Sequence, residues 1–297
     1  MSLNNIDLLN DFLTYLNDNR KTSSNTLSAY KRDLNSFIVF LDTNDVSLSD
    51  VTDTHVSNYK KILIANGKSV ATVCRTMSTL RTFYKFLTVK GLIVVNPTVQ
   101  VKNDKTEKKF FEILSEDDID KLLSAPDSSD FKGKRDRAML EILYATGMKV
   151  SELMALNVSD VNLSMKFIHC GSNKERVIML YPKAVKILSE YISKSRSYFV
   201  TNPLENALFV NTGGERMTRQ GFWKILKHYA EKSGVSKSIT PHTLRHSFAT
   251  HLLENGADIN DIKDILGHSD ISSTQVYRDY IKSKLDDSYL KFNHRSK

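Results

Sequence analysis

Apolar side chains recur every three to four positions through the first hundred residues, and that spacing predicts four helices. Ile6, Leu9, Leu13 and Leu16 mark the first. Ser24 is set to cap the second, whose Leu27, Tyr30, Leu34, Phe37, Ile38 and Leu41 form one apolar face. Val56, Tyr59, Ile62 and Leu63 predict a shorter third. The fourth opens near Ser69 and runs through Val73, Met77, Leu80, Tyr84 and Leu87 to a stop at Gly91. Asn96-Pro97 then prevents continuation.

The pattern changes after Lys102. The run KNDKTEKK, Lys102 to Lys109, is polar and reads as a linker. The expected division is a helical domain over 1–102, a linker over 103–112 and a second domain over 113–297. The second domain opens on Ser115-Glu116-Asp117-Asp118, close to a capping box, ahead of Ile119, Leu122 and Leu123. A helix from Arg135 to Thr146 stops at Gly147, and Val150 to Leu156 forms a short one. The period then becomes two. Phe167 to Cys170, a turn at Gly171-Ser172-Asn173, and Arg176 to Met179 predict a hairpin. Pro182 suits a first helical turn, Ala207 to Val210 reads as a short strand, and Thr218, Pro241 and Asp258 stand near helix starts. The fold class is mainly α with a small β-hairpin sheet in the second domain.

Composition raises an anionic partner beside the plainer reading of a basic soluble protein. The chain has 42 Lys and Arg against 34 Asp and Glu, a formal charge of +8. The imbalance is local: Thr54 to Asn103 holds no acid, yet carries Lys60, Lys61, Lys68, Arg75, Arg81, Lys85, Lys90 and Lys102. A one-sign surface repels itself unless an anion lies against it, so phosphate contact competes with a plain solvated face. The two cysteines, Cys74 and Cys170, have no paired spacing, which argues against a disulfide scaffold and a structural zinc site and fits a reducing compartment. The start, MSLNNIDLLNDFL, lacks the pattern of a signal peptide, and no apolar run is long enough for a bilayer. The expected location is the cytoplasm, with no membrane partner.

The densest chemistry lies in PHTLRHSFATH, Pro241 to His251. His242 and Arg245 share a helix face. His242 and His246 are four apart, which raises zinc. The metalloprotease arrangement needs Glu after the first His, where Thr243 stands, and no metal is expected. Incidental histidines on an unliganded helix are the other alternative. A guanidinium that grips two phosphate oxygens, an imidazole that donates or moves a proton, and a downstream phenol that attacks phosphorus describe work on a DNA phosphodiester. The phenol is Tyr277, in LGHSDISSTQVYRDY, Leu266 to Tyr280. Its ordinary pKa of ~10 requires nearby cations or a proton acceptor.

Over nearly its whole length the chain resembles the tyrosine recombinases, within them the Xer type. NTLSAYKRDL (Asn25 to Leu34), TLRTFYKFL (Thr79 to Leu87) and Asn96-Pro97 look like the core-binding, SAM-like domain. Tyr144-Ala145-Thr146-Gly147, Val150-Ser151-Glu152-Leu153, HTLRHSFATHLL and LGHSDISSTQVY are close to motifs of the catalytic domain. The resemblance implies a C-shaped two-domain clamp on double-stranded DNA and strand exchange through a 3′-phosphotyrosyl link. Tyr277 matches the nucleophile, Arg245 the second catalytic arginine, and His242 the histidine three residues before it. His268 matches the residue that hydrogen-bonds the phosphate, and Glu152 a supporting acid. Lys31, Arg32, Arg75, Arg81, Lys85 and Arg176 are expected on DNA. The ester stores the bond energy, so no ATP, metal or other cofactor is implied.

Two positions depart from the family. Lys149 stands where an arginine follows Tyr-Ala-Thr-Gly-x, and it lacks the planar fork. Gly171 stands where the hairpin carries the lysine that serves as general acid; Lys174, three residues on, is the substitute. A DNA-binding protein descended from a recombinase, weak or inactive at these positions, is the alternative. The tail, Ile281 to Lys297, carries Leu285, Tyr289, Leu290 and Phe292. In the family such a tail docks on a neighbouring protomer in a homo- or hetero-tetramer on two duplexes. A second Xer-type recombinase and a cell-division DNA translocase are further implied partners. The biological role is chromosome-dimer resolution or mobile-element integration and excision.

Overall fold

The computed structural model of the chain describes residues 5–20, 22–102, 111–171 and 175–292, the last nine by backbone alone. Two compact units divide between residues 108 and 109, within the expected linker. Of that linker, 103–110 lie outside the described residues.

The first unit holds α1 (Asn5–Arg20), α2 (Ser24–Thr43), α3 (Asp53–Ala65) and α4 (Val70–Val89). The helices start where a hydroxyl can accept an orphan N–H. Ser69 caps α4 by accepting from the Thr72 N–H; Ser23, one residue before the expected Ser24, caps α2 through Thr26. The aromatic core joins Phe12, Phe37, Phe83 and Tyr84 with Leu34 and Leu80. The buried face of α1 is Leu8, Leu9, Phe12 and Leu16; Ile6, expected inside, is 60% exposed. Phe12 decides this register, lying 5.2 Å from Phe83 and 5.4 Å from Phe86 between ring centres. Ile62 of α3 likewise faces out.

A buried carboxylate ties α2 to α4. Asp33 accepts from the Arg75 guanidinium and, at 3.0 Å, from the Thr79 hydroxyl. Arg81 donates to the Val101 carbonyl at 3.0 Å. Two of the basic residues expected on DNA therefore hold the unit together. Lys31, Arg32 and Lys85 are exposed, and Arg75, Ser78, Thr82 and Lys85 follow one row along α4.

The second unit is built around α6 (Phe131–Thr146), whose Ala138 to Leu143 are buried. Before it lies α5 (Glu116–Ser124), capped by Ser115 as expected. After it come α7 (Val150–Ala155) and an antiparallel sheet of β1 (Val161–Asn162), β2 (Phe167–Cys170) and β3 (Arg176–Met179) in the order β1-β2-β3. The register sets Cys170 opposite Arg176. α8 (Pro182–Glu190) continues through a π-helical turn, Tyr191–Arg196, into α9 (Ser197–Phe199). Ala207 to Val210 is not a strand. Ala207 bridges to Asn157 and Val210 to Arg216, two different segments, so no ladder forms. α10 (Arg219–Lys232), α11 (Pro241–Glu254), α12 (Ile259–Leu266) and α13 (Ser272–Phe292) complete the unit. Among the described residues no helix is long and apolar enough to cross a membrane.

Candidate active site

Four helix ends and one strand meet at Arg245. Pro241 at N1 and the Thr240 cap start α11, which presents His242, Arg245 and His246 in its first two turns. Arg245 is 5% exposed. Its Nη1 donates to the Gly147 carbonyl at 2.6 Å, and its Nη2 to the Leu266 carbonyl at 2.8 Å. Both acceptors belong to helix C-termini, where carbonyls lack intrahelical partners and the dipole favours a cation. Gly147 has φ 56°, and a Cβ there would stand 2.3 Å from a Phe248 ring carbon, so only glycine closes α6 this way.

His268 follows Gly267 at the end of α12. Its Nε2 is 2.9 Å from Arg245 Nη2, and its Nδ1 is 2.8 Å from the Thr274 hydroxyl. The guanidinium can only donate, so Nε2 is the bare nitrogen and Nδ1 carries the proton. Burial, then the charges of Arg245, Lys149 and Arg176, holds His268 down to about 4.

A half-buried ion pair supports this floor. Arg176, at the start of β3, donates to both Glu152 oxygens at 3.1 and 2.9 Å and to the Ile265 carbonyl at 2.7 Å. Glu152 also accepts the Lys149 N–H at 2.7 Å, which closes the start of α7. The basic residue expected on DNA at 176 is thus spent on Glu152. Burial alone would raise the Glu152 pKa. The Arg176 fork, the Lys149 N–H and the charges of Arg176 and Arg245 outweigh it and hold the carboxyl below its usual range.

That sign makes a prediction. A depressed carboxyl stabilises the fold above the unfolded value of ~4.3 and loses the contribution as pH falls through the folded value. Glu152→Gln should flatten this acid-side part of the stability profile in urea denaturation. Glu152→Ala at neutral pH should cost toward the lower end of ~3–5 kcal/mol, because it leaves Arg176 unpaired at a site that is mostly but not wholly dry.

Arg245 itself makes no ion pair among the described residues. The nearby carboxylate is committed to Arg176. Burial pulls the Arg245 pKa down, the cost of a cation with no anion beside it. Such a site is built for an anionic ligand. Tyr277 lies in the same cluster, on α13, 1% exposed, with its hydroxyl 3.0 Å from His246 Nδ1. His242 is exposed and its ring stacks 6.2 Å from that of His246.

Residues 112–283 match the phage integrase family, and residues 9–91 match the N-terminal SAM-like domain of phage integrases. The tyrosine recombinase XerD of Oceanobacillus iheyensis is 43% identical over 293 residues, 97% of this chain and 98% of that protein. The chain belongs to the phage integrase family, as a Xer-type tyrosine recombinase. The solved XerA recombinase is 27% identical with a TM-score of 0.55, covering 98% of this chain and 99% of that one. The XerH site-specific recombinase, in a post-cleavage complex with a palindromic difH substrate, shares the fold at a TM-score of 0.77 and 20% identity, over 97% of this chain and 84% of that one.

Membership makes the chain an enzyme that cleaves and rejoins DNA strands at specific sites, and nothing favours a binding-only descendant. In the recombinase, Arg245, His268, Glu152, Tyr277 and Lys149 converge, the last through its charge on His268. Lys174 lies outside the described residues. Two neighbours of Tyr277 escaped the sequence reading. His246 figured there only as half of a zinc pair. Phe111, expected in the linker, packs in the second unit. Its ring lies 4.4 Å from His246, 5.4 Å from Tyr277 and 5.5 Å from Tyr280.

Proposed function

We propose that Tyr277 attacks a DNA phosphodiester held by Arg245 and His242, and by His268 once the phosphate charge lets its Nε2 take a proton, forming a 3′-phosphotyrosyl link and releasing a 5′-hydroxyl. The observation that carries this is Arg245: a buried, fixed guanidinium with no carboxylate partner among the described residues, in one cluster with a phenol and two imidazoles. The cluster stabilises the charge that grows on phosphorus, and the ester keeps its energy until another 5′-hydroxyl attacks. The test is a nicked suicide duplex carrying the cognate site. The recombinase should be trapped as a covalent adduct that maps to Tyr277; specific binding without an adduct would overturn the reading.

Lys149 fills the place of the first arginine, and its ammonium contributes charge without the planar fork. Lys149→Arg should form adduct about tenfold faster, because the guanidinium fork adds a second charge-assisted hydrogen bond, worth about 1.5 kcal/mol, to the phosphate. An equal or slower rate in single-turnover assays would mean that the site is adapted to lysine. Lys174 is our candidate for the general acid. The conformation of Gly171, φ 100°, supports it: a lysine side chain at 171 would strain the backbone.

The substrate is a double-stranded recombination site, bound through the exposed Lys31, Arg32 and Lys85 together with the catalytic unit. A homo- or hetero-tetramer on two duplexes is the working form, joined by the C-terminal tail on a neighbouring protomer. A groove of about 810 Å³ supports that docking; it is lined by Ile119, Leu123, Val177 and Met179 with the carboxylates of Glu116 and Glu141. The tail pairs apolar Leu285, Tyr289, Leu290 and Phe292 with basic Lys291, Arg295 and Lys297. From residue 284 on, the side chains of this tail lie outside the described residues. The role is chromosome-dimer resolution or mobile-element integration and excision in the cytoplasm. The first would use a second Xer-type recombinase and a cell-division DNA translocase.

A further inference from the structure

α11 offers one more group to the reacting atoms. His246 directly follows Arg245, so its side chain leaves the helix about 100° further round. There its Nδ1 meets the Tyr277 hydroxyl at 3.0 Å. A buried O–H must find an acceptor. Among the described residues that acceptor is His246 Nδ1, so Nε2 carries the ring proton and the bare nitrogen faces the nucleophile. The stacked Phe111 ring, 4.4 Å away, holds the imidazole in this orientation.

We propose that His246 is the proton acceptor for Tyr277, and that the scissile phosphate itself makes it basic enough to serve. The proposal rests on Tyr277 being the nucleophile. As the Oη–P bond forms, the phenol proton passes to Nδ1. The P–O5′ bond breaks, and the 5′-oxygen takes a proton from Lys174 or from water. Rejoining reverses the path: a 5′-hydroxyl attacks, the phenol oxygen leaves, and the imidazolium returns its proton.

Without DNA the pair is at rest. Burial, then the charges of His242, Arg245 and His268, pulls His246 down to about 4. Burial pushes Tyr277 up, against the opposing field of Arg245. The proton stays on the phenol. Among the described residues, the groups that face His246 are His242 and Arg245 on its own helix, His268 from the turn after α12, Tyr277 from α13, and the Phe111 ring, on which Tyr280 also packs. No carboxylate is among them. A phosphodiester between Arg245 and His268 brings the missing negative charge, offsets the cations that depress His246, and restores its basicity. Proton acceptance is thereby tied to occupancy of the site.

The test is single-turnover adduct formation on the nicked duplex at saturating DNA. Wild-type rates should rise with pH through an ionisation between the resting value of about 4 and the ~6.5 of an ordinary imidazole, then level off. His246→Gln keeps a hydrogen-bonding group but cannot take a proton. It should cut ~100-fold slower or worse and lose that rise, with the loss in the rate at saturation rather than in DNA affinity. Added imidazole should restore part of the rate to His246→Ala. A glutamine variant within threefold of wild type, or one that is slower with the same pH profile, would overturn the proposal. No adduct from wild type would instead take down the Tyr277 reading, and this with it.

Discussion

Tyr277→Phe should bind its DNA site as wild type does and form no covalent adduct on the nicked duplex. Phenylalanine keeps the ring that packs against Phe111 and the core of Phe248, Ile262 and Leu266. It removes the phenol oxygen proposed to bond phosphorus. The structural cost is one hydrogen bond to His246, worth about 1 kcal/mol. A fold that unravels would produce the same missing adduct, so the thermal midpoint and the DNA affinity are measured beside it. A denaturant-stable adduct from this variant would show that another side chain is the nucleophile.

Arg245→Ala should slow adduct formation by ~100–1000-fold, the usual loss for one transition-state donor. Arg245→Lys should recover little of it. One ammonium cannot reach the Gly147 and Leu266 carbonyls and still present donors to a phosphate, because it lacks the planar fork. Stability should respond less than the contacts suggest. The alanine variant leaves three acceptors without their donor, at about 1–3 kcal/mol for each that water cannot reach. It also sheds a buried cation that has no anion beside it, which repays several kcal/mol. A modest change in the urea midpoint with a large fall in rate is the expected signature. A collapse of the fold would mean that Arg245 is chiefly structural.

The parts of this molecule legible in its sequence are those with short-range causes. Ser69, Ser115, Thr218 and Asp258 were expected near helix starts and cap them, because a cap needs only its own next turn. The hairpin from Phe167 to Met179 was legible from its alternation and its turn residues. The inner face of α1 was not. Ile6-Leu9-Leu13-Leu16 and Leu8-Leu9-Phe12-Leu16 both fit a helical period, and the rings at 83 and 86 choose between them. Basic residues are harder still. Arg75 and Arg176 look like phosphate ligands in a chain of charge +8. Each meets a carboxylate far away in sequence, Asp33 and Glu152. His246 and Phe111 were hidden for the same reason: their partner is Tyr277, and only the packing of α11 and of the segment before α5 on α13 brings them to it.

The depth of Tyr277 has a consequence for what kind of enzyme this can be. A phosphotyrosyl ester is open to any hydroxyl, and water is the most abundant one. If water attacked, the product would be a DNA strand left broken. With the phenol 1% exposed under Phe111, an ester formed there is screened from the bulk, and the attacker must arrive already aligned. The 5′-end of a DNA strand held in the complex meets that condition and free solvent does not. If Tyr277 is the nucleophile, the same burial that holds its proton guards against nuclease activity.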